Sequence, residues 1–83
     1  MKNGIELIRD ERIRQIEKEG YTSEHDAEHN VNEFVLAALA YLQCNFYKSD
    51  LTWPWDATSF KPKDLKSNLI RAGALIAAAL DKL

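Results

Sequence analysis

Apolar positions recur along this chain at helical spacing, with one long interruption. Ile5, Ile8 and Ile16, with Leu7 and Ile13 beside them, keep the i, i+3/i+4 rhythm of a helix from Gly4 to about Lys18. Charged side chains fill the rest of that segment, and Asp10–Arg14 has the spacing of a surface ion pair. Glu11, Arg12 and Gln15 flank the stripe and are placed to look toward a site. Gly20 then offers a C-cap. A second helix is expected from about Ser23–Asp26 to Asn45, with Ser23 or Asp26 able to cap its free amides. Its middle, Phe34 to Leu42, is apolar on every side, the mark of a helix surrounded by protein.

Phe46 to Lys61 breaks the rhythm. Trp53-Pro54-Trp55 fits neither a helix interior nor a central strand, so this is a long aromatic loop. The two tryptophans either cap the end of the core or form a wall on which a base stacks. Pro62 or Lys63 opens the last helix, where Asp64 complements the dipole. Leu65, Leu69, Ala72, Ile76, Leu80 and Leu83 step by 4, 3, 4, 4 and 3 and predict a buried stripe. Ala72-Gly73-Ala74 and Ala77-Ala78-Ala79 are small enough for another helix to come close. No segment reads as a strand. The expected fold is all-α: a single domain over residues 1–83, three main helices, and a long aromatic loop before the last of them.

Size and charge narrow the picture. At 83 residues a chain buries only about 60–65% of the surface it exposes when unfolded. The lone Cys44 permits no internal disulfide. A small domain without such a staple gains stability by oligomerising, so a homodimer or larger is expected. A net charge of −2 does not suit generic nucleic-acid binding. The longest apolar run is under half a membrane span, the N-terminus is charged throughout, and one cysteine suits a reducing cytoplasm. Cys44 has an apolar setting and no local histidine to activate it as a nucleophile.

Chemistry concentrates before the apolar run. On one continuous helix, Asp26, His29 and Glu33 lie at i, i+3 and i+7 and share a face, with His25 at its edge. Carboxylates and an imidazole on adjacent turns are donors that a bundle helix can offer a divalent ion, Mg²⁺ or Mn²⁺ favouring the oxygens. The second contributor would be the start of the last helix, where Asp64, Asn68 and Arg71 share a face. An ion held by Asp26, His29, Glu33 and Asp64, with Glu33 and Asp64 also in the catalytic role, would face Lys61, Lys63 and Arg71 turned toward phosphate. Trp53 or Trp55 would stack on a base. The plainer reading places the acidic residues at a helix start to suit its dipole.

The blocks ERIRQIEKEGYTSEHDAEHN, WPWD, KPKD and NLIRAGALIAAALDKL, in that order, resemble a small family of phage and prophage proteins with no settled activity. That resemblance implies a phage, prophage or bacterial-host setting. The architecture is also similar, at the level of fold, to the MazG-like all-α nucleotide pyrophosphohydrolases. These are oligomeric bundles that hold Mg²⁺ with acidic residues from two helices and cleave nucleoside triphosphates to monophosphate and pyrophosphate. Their Glu-Glu-x-x-Glu and Glu-x-x-Asp patterns are missing, since no glutamate of this chain has Glu or Asp three residues later. The resemblance implies a metal-dependent pyrophosphohydrolase-like protein; the alternative is a non-catalytic phage accessory protein that binds a nucleotide or a host protein.

Overall fold

Each helix of this chain starts on its own local signal. In α1, Gly4–Lys18, the N-cap is Asn3. Its side chain accepts from Glu6 N at 2.9 Å, and its own N–H donates to Glu6 Oε1 at 3.0 Å. α2 is Val31–Gln43 and repeats the device: Asn30 Oδ1 accepts from Glu33 N at 3.0 Å, and Asn30 N–H donates to Glu33 Oε2 at 2.9 Å. α3, Leu65–Asp81, is capped by Asp64, whose carboxylate accepts from Ser67 N at 2.8 Å. Such caps satisfy amides that the first helical turn leaves without partners. The computed structural model describes residues 1–19, 30–46 and 52–83; among them are these three α-helices, a 3₁₀ turn at Ala57–Ser59 and no strand. The radius of gyration is 12.0 Å, close to the roughly 12 Å of a compact chain of this length.

The start of α2 corrects the expectation of one helix from Ser23–Asp26 onward. Asn30 is extended, with φ −84° and ψ 165°. An N-cap residue needs that conformation, so no helical register runs through it. Residues Ser23 to His29 lie outside the described residues, as does Gly20; the cap of α1 within the described chain is Glu19. Asn30→Ala removes the cap and is expected to lower stability by about 1 kcal/mol. Urea unfolding measures this, and an unchanged midpoint would mean that α2 starts elsewhere.

α1 and α2 each pack on α3. The buried face of α3 is Asn68, Ala72, Ala74, Leu75, Ala78 and Ala79, against Phe34, Ala37, Ala38 and Tyr41 of α2. On the other side, a Cβ on Gly73 would sit 2.6 Å from Ile8 Cδ1, so glycine is what lets α1 approach. Arg12 Nη2 of α1 also reaches Asp81 of α3 at 3.8 Å. The predicted buried stripe of α3 is corrected here. Ala72 is buried, but Leu65, Leu69, Ile76, Leu80 and Leu83 are exposed, because the small side chains take the close contacts. α2 likewise buries one side only, leaving Val35, Leu36 and Leu39 in water.

The aromatic loop closes one end of this core. Trp55 meets Phe34 edge-on at 5.3 Å, and Trp53 meets Tyr41 edge-on at 5.4 Å. Trp53 also packs on Trp55 at 5.2 Å and on Phe60 at 4.9 Å. Its indole N–H donates to Asp56 O at 3.0 Å and Ser59 Oγ at 3.2 Å, so the turn is tied from within. Asn68 fastens the other strand of the connection. It accepts from Lys63 N at 2.8 Å, and its amide donates to Asn45 Oδ1 at 2.9 Å and Lys63 O at 3.1 Å.

Candidate ligand-binding cleft

Two of the carboxylates expected at a metal site, Glu33 and Asp64, serve in helix caps. Glu33 bonds back to the Asn30 amide. Asp64 is held by the hydroxyl and amide of Ser67, which keep its carboxyl below the ordinary 3.8. Asp26 and His29 lie outside the described residues. Among the described residues, no group of three or more His, Cys, Asp or Glu side chains comes together to hold an ion. Cys44 is half-buried, and burial pushes its thiol up, away from the reactive thiolate.

A different cluster does assemble. Where α1, the aromatic loop and α3 meet, a cleft is lined by Glu11, Arg14, Gln15 and Glu19 of α1, Tyr41 of α2, Trp53, Ser59 and Lys61 of the loop, and Arg71 and Leu75 of α3. It therefore unites Trp53, Lys61 and Arg71, expected around one ligand, with Glu11 and Gln15, expected to look toward a site. Lys63 is outside it, its amide engaged by Asn68, and Trp55 packs under Trp53 against the core. The interior volume is about 30 Å³, and about 350 Å³ with the open mouth. Inside there is room for a water or two, so a larger ligand must lie across the mouth.

Its electrostatics divide in two. Arg14 is neutralised on the α1 side: its Nε and Nη2 donate to Glu11 at 2.7 and 2.8 Å, and Nη1 to Glu19 Oε1 at 2.9 Å. The bond to Glu11 is the main reason the guanidinium holds its proton more tightly. The expected Asp10–Arg14 pair does not form; Asp10 pairs with Lys2 instead. Across the cleft, no carboxylate among the described residues pairs with Lys61 or Arg71. Arg71 donates to Lys61 O and lies 5.9 Å from the centre of the Tyr41 ring. Tyr41 Oη accepts from Lys61 N at 3.1 Å, which fixes the loop strand beneath that cation pair. Burial pushes the phenol above its ordinary 10.0, so it stays protonated at neutral pH.

Among the lining residues, Gln15 carries an unmet hydrogen bond. It is 3% exposed, and its Nε2 donates to Glu11 Oε2 at 3.2 Å. Only the NH₂ end can face that carboxylate, so the orientation of the amide is set. Its Oε1 is then buried without a hydrogen-bond partner. A buried acceptor left unmade costs about 1–3 kcal/mol, and native structures leave few of them.

No family model, no curated protein and no solved structure matches this chain. The chemistry of the cleft therefore carries the functional reading. The sequence marked Arg14 only as a surface partner of Asp10 and did not mark Glu19, because a Glu-x-x-Arg pair on a charged helix has the look of any solvated face.

Proposed function

We propose that the protein is a non-catalytic binder of a small phosphate-bearing ligand, a nucleotide or a relative of one, held across the mouth of this cleft. The carrying observation is the convergence of Lys61 and Arg71, without carboxylate partners among the described residues, beside the unsatisfied Gln15 acceptor. Lys61 and Arg71 meet the anion, Arg71 with a fork suited to phosphate oxygens. Binding without turnover is favoured over hydrolysis because Glu33 and Asp64 already serve as caps. The resemblance of its sequence blocks supports the setting of a phage or prophage accessory protein in a bacterial host.

Calorimetric titration of the full chain with inorganic phosphate and with nucleoside mono-, di- and triphosphates, in excess chelator and in Mg²⁺ or Mn²⁺, tests this. Saturable binding that survives the chelator, with no product formed, is expected. Lys61→Ala should weaken it about tenfold, or about 1.4 kcal/mol, and Arg71→Ala by more, with helix content unchanged. Binding that needs the metal, with pyrophosphate released and turnover abolished in Glu33→Ala, would instead support the pyrophosphohydrolase reading.

A further inference from the structure

Nothing in the described chain covers the large aliphatic stripe of α3. Leu65, Leu69, Ile76, Leu80 and Leu83 are 57%, 48%, 45%, 64% and 89% exposed. At 3.6 residues per turn the four within α3, Leu65, Leu69, Ile76 and Leu80, fall within a wedge of about 60°, and Leu83 lies just past the helix end. Apolar grooves run along both flanks of the stripe. Val35, Leu39 and Leu42 of α2 border its C-terminal half, and Leu7 and Ile8 of α1 its N-terminal half.

We propose that this face is the interface of a homodimer, with α3 packed on α3 of a second copy about a twofold axis. Area is the first argument. With Val35 and Leu39, the stripe exposes on the order of 600 Å² of apolar surface, at the top of the range of about 300–600 Å² for the largest patch on a monomer. A standard interface buries about 800 Å² per partner, so this patch and a modest rim suffice. Shape is the second. The seam keeps helical spacing along the whole of α3, and an identical helix offers the matching seam, as a twofold contact requires.

The core is the third argument. It is built mainly of alanines, and Phe34 and Leu75 are the only large apolar side chains under 2% exposed among the described residues. A short chain with so few large side chains inside gains most from burying those it leaves outside.

Sedimentation velocity of the full chain over a dilution series tests the proposal. The wild type is expected to be a dimer at tens of micromolar. Ile76→Glu, at the middle of the stripe and twice in each interface, should raise the dissociation constant at least a hundredfold while keeping its helical circular dichroism. Leu80→Glu repeats the test should the first variant fail to fold. Ile13→Glu, on α1 and 45% exposed, should leave the dimer intact. A wild type that sediments as a monomer throughout overturns the proposal, as do stripe variants that fold and remain dimers.

Discussion

Phe34→Ala is expected to cost this 83-residue chain about 3–5 kcal/mol of stability. A chain of this size has about 4–12 kcal/mol of stability in total. Phe34 is 0% exposed, with Trp55 edge-on at 5.3 Å and the Lys82 ammonium 5.6 Å from its ring centre. Several of its core companions are alanines, Ala37, Ala38, Ala72, Ala78 and Ala79. Alanine has no rotamer with which to fill a cavity, so the site cannot collapse and the loss should lie in the upper part of the range. Urea unfolding followed by far-UV circular dichroism measures it, at matched protein concentration because a dimer's stability depends on concentration. A loss below about 2 kcal/mol would mean that the aromatic loop moves in to replace the ring.

Asn68→Ala should follow, at about 2–3 kcal/mol. The side chain is 2% exposed and makes three hydrogen bonds, to the Lys63 amide, the Lys63 carbonyl and Asn45. Asn45 in turn donates to the Tyr41 and Leu42 carbonyls at the end of α2. Removing Asn68 therefore uncouples the start of α3 from the end of α2 and strands several polar groups at once. Asn68→Asp sharpens the test. It keeps the acceptor for Lys63 N but brings a buried charge against Lys63 O and Asn45 Oδ1, so its carboxyl should titrate upward. A folded pKa above the unfolded one, about 3.9 for Asp, means the variant is most stable in acid and weakens as pH rises through that range. A variant indifferent to pH would show that Asn68 is dispensable as a donor.

Helix existence was legible in the sequence, and the ends of α1 were legible to the residue, because periodicity and charge agree there. The start of α2 was hidden by composition. The run from Glu24 to Glu33 is polar but for Ala27 and Val31, and a capping box at Asn30 and Glu33 inside such a run resembles one more helical turn. The same box at Asn3 and Glu6 shows that the signal was present. The orientation of α3 was inverted for a different reason. Spacing finds an apolar stripe but not the surface that covers it, and α3 packs inward through alanine and glycine, whose hydropathy is weak but whose size permits close approach. At the cleft, Trp53, Lys61 and Arg71 were recognisable as partners by residue type. Gln15 was visible only as a residue flanking a stripe, since no pattern announces an amide whose carbonyl oxygen will be buried without a donor.

The arrangement of α1 and α2 on α3 has a consequence for biosynthesis. In chain order α3 is the last of the three helices, and it is the surface on which both earlier ones are packed. At about 5–20 residues per second, several seconds pass between the emergence of α1 and the completion of α3. Until then Ile8 has no Gly73 to lie against, and Phe34 has no alanine face opposite. Folding must therefore wait for the last helix and then run as one event, and a nascent chain stalled before Leu65 presents two apolar faces to cellular chaperones.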